Sequence, residues 1–226
     1  MHLYSGPLSL FSRKVEIALA EKGIACTRTM VPFTQTEGYA PKNDAVLAAN
    51  PKGQVPVLVD GDLTLYDSTV ILEYIEEAYP EPALYPGNAG LRARCRILEL
   101  EADEILLEPV RRLMFRTEPP GDAARRAHQE SGAAEAQRLI AWNQARLDER
   151  LKGESFLPES YSVADIATFM VIHWGLRLGG PAIADLAHLL AWYRRVAERP
   201  AVAPVLAEIA EADRRLSHPV SGAQLP

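Results

Sequence analysis

Apolar positions in the first eighty residues change period several times. His2-Leu3-Tyr4 is a short apolar run that reads as a first strand. Phe11, Val15, Ala18 and Leu19 recur at helical spacing and stop at Gly23, a natural C-terminal stop. Thr27 to Val31 reads as a second strand. Val55-Pro56-Val57-Leu58-Val59 and Leu63-Thr64-Leu65 flank Asp60-Gly61-Asp62, the pattern of a β-hairpin. Ile71, Tyr74, Ile75 and Ala78 return to helical spacing, with Ser68 just before them and Pro80 just after. The order is strand, helix, strand, short helix, hairpin, helix, a mixed α/β layer over residues 1–80.

Beyond Pro80 the strand pattern disappears. Pro80, Pro82, Pro86, Gly87 and Gly90 mark a linker over 81–89. Leu91, Cys95, Leu98, Ala102, Ile105 and Leu113 share one face of a helix over about 90–116, which Pro109 is expected to kink. Pro119-Pro120-Gly121 ends it, and Asp122 caps a second long helix reaching about Leu151. A third helix follows Ser162, a fourth ends near Arg199-Pro200, and a fifth spans about 202–215. The expected organisation is an α/β domain over 1–80, an all-helical domain over 90–216 and a loose tail over 217–226.

Composition narrows the function classes. The chain has 226 residues, 48% of them apolar and 24% charged, enough for a packed core. Its formal charge of −6 argues against nucleic acid as a partner. Residues 1–82 carry 6 basic and 11 acidic side chains, so the excess sits almost wholly in the α/β part. Cys26 and Cys95 are too few for a disulfide scaffold or a four-Cys zinc site, and fit a reducing cytoplasm. No metal is expected. The N-terminus lacks the basic start and apolar stretch of a signal peptide. The longest apolar run, Ile166–Leu176, holds His173 and falls short of the roughly 20 residues a membrane span needs.

Three segments of the α/β part carry candidate chemistry. Ser9-Leu10-Phe11-Ser12 opens a helix straight after a strand, where unpaired amides and the helix dipole favour an anion. The plain alternative is that Ser9 or Ser12 only caps the helix. In Gln54-Val55-Pro56-Val57, a cis Val55–Pro56 bond would free the Val55 backbone to pair with something extended; the alternative is an ordinary strand-start proline. Asp67-Ser68 begins a helix whose amides can hold a carboxylate, or it caps and nothing more.

Taken in order, these segments resemble the glutathione transferases of the cytosolic, serine-type, bacterial-like kind. The resemblance covers nearly the whole chain: a thioredoxin-like domain followed by an all-helical bundle. It is carried by Ser9-Leu10-Phe11-Ser12-Arg13-Lys14-Val15, Asn50-Pro51-Lys52-Gly53-Gln54-Val55-Pro56-Val57-Leu58, Asp67-Ser68 and Ile71-Leu72-Glu73-Tyr74-Ile75. In the helical half, Ser162-Val163-Ala164-Asp165-Ile166-Ala167 matches the family's capping box, with Tyr161 and Ile166 spaced as a hydrophobic staple. That motif speaks for fold, not chemistry.

The resemblance implies glutathione as co-substrate, a small electrophile as the second substrate and a homodimer. It places Ser9 where serine- or cysteine-type members hold the residue that donates to the glutathione sulfur. Tyr4, at the end of the first strand, is the runner-up. Val55 would pair with the cysteinyl unit, and Asp67 and Ser68 with the α-ammonium and α-carboxylate of the γ-glutamyl end. Lys42, or Lys52 in its stead, would meet the glycyl carboxylate, and Gln54 adds a contact. Leu10, Arg111, Met114 and Phe115 are second-substrate candidates by position. Arg111, Arg112 and Arg116 are open to an anionic substrate or are solvated residues near a helix C-terminus.

Departures from the family pattern matter. Leu10 replaces a common proline. The missing Ser-Ser-Cys signature argues against maleylacetoacetate isomerisation, and the absence of Cys at position 9 against omega-type reductase chemistry. A non-catalytic member acting as a regulatory or interaction module, and a glutathione-dependent peroxidase, are the rival readings.

Overall fold

The computed structural model describes residues 1–223 and Leu225. It divides into two compact units, Met1–Leu84 with Pro200–Leu216, and Tyr85–Arg199 with the segment from Ser217 on.

The first unit is built on a four-stranded sheet. Its strands are β1 (His2–Ser5), β2 (Thr27–Met30), β3 (Val57–Asp60) and β4 (Leu63–Tyr66), in spatial order β2-β1-β3-β4. β1 and β2 are parallel, joined by α1 (Leu10–Glu21); the other two pairings are antiparallel. Side-chain alternation sends Leu3 and Leu58 to one face, where Val15 and Leu19 of α1 and Ile71 and Ile75 of α3 (Ser68–Ala78) close over them. Val57 turns to the other face and meets Val31 and Val46, the latter from α2 (Asp44–Ala49). The first helix ends where expected. Gly23, at φ +64°, sends its amide to the Ala20 carbonyl (3.0 Å), and Ile24 reaches Leu19 (2.9 Å), a Schellman closure. The hairpin also forms as read, but β3 begins at Val57 because Pro56 has no amide for the ladder.

The helical unit departs from the expectation of one kinked helix over 90–116. It contains α4 (Ala89–Leu100), a π-helical segment (Glu101–Leu106), α5 (Leu107–Arg111) and a 3₁₀ turn (Met114–Thr117). Pro109 cannot donate to the Ile105 carbonyl, and in α geometry its ring would strike that group. The wider upstream turn relieves the clash. The extra residue in that turn also shifts the apolar phase. Ile105, expected inside, is 57% exposed, while Leu107, Val110 and Leu113 are buried. The unit continues with α6 (Ala123–Arg150), capped by Asp122 as expected, then α7 (Val163–Arg177) and α8 (Ala187–Ala197). The reciprocal capping box of Ser162 and Asp165 is present at the start of α7.

Helix α9 (Ala203–Leu216) packs on α1, so it belongs to the first unit and not to a helical domain reaching residue 216. The tail is tied at its root. Ser217 accepts from Arg177 (3.0 Å), and the His218 amide donates to the Thr117 carbonyl (2.8 Å). Part of the tail expected to be loose, Gln224 and Pro226, lies outside the described residues. Among the described residues no helix is long and apolar enough to cross a membrane.

Candidate active site

Strand register brings the three segments singled out in the sequence to one end of the sheet. Tyr4 stands opposite Val57, and Val57 opposite Tyr66. The chain leaving β1 toward Ser9, the chain entering β3 through Val55 and Pro56, and the chain leaving β4 into Asp67-Ser68 therefore lie side by side.

Ser9 is the N-cap of α1. Its Oγ accepts from the Ser12 amide at 3.3 Å. The capping alternative is thus realised, but it uses a lone pair of the hydroxyl and leaves the hydroxyl hydrogen to donate elsewhere. The turn before Ser9 is closely held. Ser9 N donates to Gly6 O (3.2 Å), Gly6 N to Ser12 Oγ (3.3 Å), and Arg13 Nη2 to Pro7 O (3.1 Å). A Cβ on Gly6 would fall 2.2 Å from Tyr39 Oη, so only glycine lets that ring lie across the turn.

The Val55–Pro56 bond is cis, as expected. Val55 precedes the first paired residue of β3, which leaves its backbone outside the ladder. The loop before it is shaped by Asn50, the first residue of the matching segment, to which the sequence assigns no role of its own. Asn50 is 3% exposed. Its amide nitrogen donates to Gln54 O (2.8 Å) and its oxygen accepts from Lys52 N (2.9 Å). In the sequence the signal is an asparagine directly before Pro51. Gly53, at φ +59°, needs the left-handed conformation, and the Lys42 side chain runs beside it. Lys42, Lys52 and Gln54 are all exposed.

Asp67 caps α3 through Oδ1, which accepts from Thr69 N (3.1 Å). Its φ is +75°, and among the described residues it is the one non-glycine in that half of conformational space. Such backbone costs roughly 1–3 kcal/mol and is held only where the surroundings impose it. Ser68 is buried and opens the helix, its amide among those without an intrahelical acceptor.

The remaining candidates stand apart. Tyr4 packs against Val31, Val46 and Val57, edge-on to His2 at 4.8 Å. The Ser5 hydroxyl is given to Glu16 Oε1. Leu10 is buried in the first unit, and Arg111, Met114 and Phe115 belong to the second. Within that second unit Met114 is 47% exposed, whereas Phe115 is buried beneath the Arg126 guanidinium, 5.1 Å from its ring. Arg112 is paired with Glu108 (2.7 Å). Arg116 is paired with Glu130 (2.7 Å) and also bonds the carbonyls of Leu178 and Gly179. Burial pushes the thiols of Cys26 and Cys95 up, away from thiolate chemistry.

A thioredoxin-like sheet with two capped helix starts at one end, followed by a helical domain, defines the glutathione transferase class of fold. The chain matches the glutathione S-transferase N-terminal domain over residues 3–83 and the glutathione S-transferase C-terminal domain over residues 107–200. It belongs to the glutathione S-transferase family. A crystal structure of a glutathione S-transferase from Rhodospirillum rubrum F11 is similar at TM-score 0.77 and 28% identity, over 100% of this chain and 96% of that one. A stringent starvation protein A homolog of Coxiella burnetii is 43% identical over 98 residues, covering 43% of this chain and 44% of that protein. A maleylacetoacetate isomerase of Pseudomonas aeruginosa is 42% identical over 97 residues, covering 42% and 45%. The chain thus matches less than half the length of these curated relatives.

Proposed function

We propose that the chain is a glutathione transferase that activates the thiol of glutathione through Ser9 and directs it at a small electrophile. The observation that carries this reading is the Ser9 cap, which keeps a hydroxyl hydrogen for a sulfur at the α1 N-terminus, beside the unpaired Val55 backbone and the strained Asp67-Ser68 helix start. Val55 takes the cysteinyl backbone. Asp67 meets the α-ammonium and Ser68 the α-carboxylate, and Lys42, with Lys52 as the alternative, meets the glycyl carboxylate beside Gln54. Leu10 in the first unit and Arg111, Met114 and Phe115 in the second stay second-substrate candidates by sequence position alone.

The mechanism is ionisation and positioning, without a covalent enzyme intermediate. A free thiol of pKa ~8.5 is only a few per cent ionised at neutral pH. Lowering it by about 2 units takes roughly 2.7 kcal/mol, the order of one charge-assisted hydrogen bond plus a helix dipole. The thiolate attacks the electrophilic carbon, a carbon–sulfur bond forms, and the leaving group departs with its electron pair.

Ser9→Ala should raise the pKa of the bound thiol and cut turnover of an aryl halide about ten- to a hundredfold. Unchanged turnover would sink the role of Ser9, and loss in Tyr4→Phe instead would transfer that role to Tyr4. Assay of cumene hydroperoxide beside the aryl halide separates conjugation from peroxide reduction.

The second reading is a regulatory or interaction module of the cytoplasm. It is favoured by the likeness to a protein named for stringent starvation rather than for glutathione. Calorimetry with millimolar glutathione decides, since absence of binding would favour the module. Either reading includes a homodimer. Leu63, Tyr66 and Val70 are exposed in the first unit and Ile97, Leu100, Ile105 and Trp142 in the second, apolar surface for a second copy to cover. Sedimentation should give twice the 24.9 kDa chain mass, and a monomer at micromolar concentration would reject it.

A further inference from the structure

A charge cluster with Arg13 and Glu16 buried at its centre adjoins the turn that leads into Ser9. Arg13, one turn into α1, is 1% exposed. Its Nη1 donates to Glu16 Oε2 (2.6 Å) and to Glu208 Oε2 (2.8 Å), the latter carried by α9. Its Nη2 donates to Pro7 O (3.1 Å), in the turn that delivers the chain to Ser9. Arg28 of β2 closes the cluster, reaching Glu16 (2.9 Å) and Glu208 (3.0 Å). Ser5, at the end of β1, donates to Glu16. Two guanidinium groups and two carboxylates thus balance, and every element that leads into Ser9 has a member among them. Burial pushes the Glu208 carboxyl up, but the hydrogen bonds from Arg28 and Arg13 outweigh it and hold the group below the usual range.

We infer that Glu208 is a positioning residue for the thiol-activating hydroxyl: α9 fixes Arg13 through Glu208, Arg13 fixes the Pro7 carbonyl, and the Gly6–Ser9 turn is held where Ser9 can donate to a sulfur. A fork explains why the residue is arginine. One nitrogen holds two carboxylates while the other reaches a carbonyl, which a lysine ammonium cannot do in the same plane. The C-terminal helix is then part of the site's scaffold although 195 residues separate Arg13 from Glu208. The inference rests on the reading of Ser9 given above.

Glu208→Gln tests it, because the side chain is 42% exposed and the substitution keeps its shape. Charge and geometry predict opposite signs. Removing a negative charge alone would lower the pKa of bound glutathione. A loosened Ser9 turn should raise it, and should lower kcat/KM for an aryl halide about tenfold, mainly through kcat. Amide exchange at Ser9 and Ser12 should rise about tenfold while that of Leu58 in the sheet does not move. Glu211→Gln, an exposed position on the same helix, should behave as the parent protein. A pKa that falls or stays, or an unchanged kcat, overturns the inference. The exchange readout needs no substrate, so it separates the two failures. Faster exchange in a protein that does not bind glutathione would reject the functional reading, whereas unchanged exchange in an active enzyme would reject the role of Glu208.

Discussion

Asp165→Ala should destabilise the helical unit by about 4 kcal/mol. The carboxylate is fully buried and collects three N–H donors. Oδ1 accepts from Leu157 N (2.8 Å) and Trp192 Nε1 (2.8 Å), and Oδ2 from Ser162 N (3.0 Å). Alanine leaves all three without an acceptor, at about 1–3 kcal/mol each, with partial relief as the site relaxes. The loss falls on the contacts between the start of α7, the loop before it and α8. All three tryptophans of the chain, Trp142, Trp174 and Trp192, lie in this unit, so urea unfolding followed by indole fluorescence reads it directly. A loss below 1 kcal/mol would mean that water or another group serves those donors.

The same residue predicts a pH dependence. Burial pushes the Asp165 carboxyl up to about 7, against the pull of its N–H donors. Its unfolded value is about 3.9. Between these limits the folded state holds more proton than the unfolded one. This group's contribution therefore declines as pH rises from about 4 to 7, by at most about 1.4 kcal/mol per pH unit. The Ser162 hydroxyl, 3.3 Å away, also donates toward Oδ2 and is one of the groups that pull the value down. Asp165→Asn cannot titrate and should remove that slope. If parent and variant show the same slope, the carboxyl is not the titrating group.

How much of this was legible depended on the range of the interaction. Periodicity is local, so α1, α3 and the Asp60-Gly61 hairpin could be read from it, and so could the Ser162–Asp165 box, because both partners lie within one turn. What Asp165 does beyond its own turn was hidden, because Trp192 is 27 residues away. Pro109 announced a disturbance, but whether the backbone answers with a kink or a π turn depends on packing. The one-residue phase shift that puts Ile105 outside follows only from the second. Helix α9 showed an apolar stripe, Val205, Ile209 and Ala212, which demands a covering face without naming one. The face it meets carries Arg13, and Glu208 reaches that residue and Arg28 of β2 across 195 and 180 residues. At the site, capped helix starts and a strand-start proline could be located singly, and the sheet register then put them side by side. The second-substrate candidates had position alone behind them, and Phe115 and Arg116 turned out to be held by their own unit.

Lys22→Met should cost the first unit about 4 kcal/mol, the range for breaking a buried ion pair from one side. In the sequence this residue looks like any lysine at a helix C-terminus, with Gly23 behind it and the helix dipole sufficient to account for it. In the fold its ammonium has no contact with solvent, and all three of its donors are used. Nζ donates to Glu76 Oε2 (2.7 Å), Tyr79 O (2.7 Å) and Pro82 O (2.8 Å). It therefore ties the end of α1 to the end of α3 and to the chain leaving the α/β layer. Methionine preserves the length and the apolar stem but strips the donors from two carbonyls and the cation from a buried carboxylate. Glu76 keeps the Leu84 amide (3.0 Å) but loses its lysine cation. Lys22→Met with Glu76→Gln should recover about half the loss, because a neutral amide tolerates burial better than a carboxylate that has lost its cation. Amide exchange at Tyr79 and Ile24, which are bonded to Ile75 and Leu19, follows this corner of the first unit without relying on tryptophan. Equal losses in the single and double variants would place the cost in the two carbonyls. Recovery in the double variant would place it in the stranded charge, and a loss below about 1 kcal/mol would show that the ammonium is dispensable there.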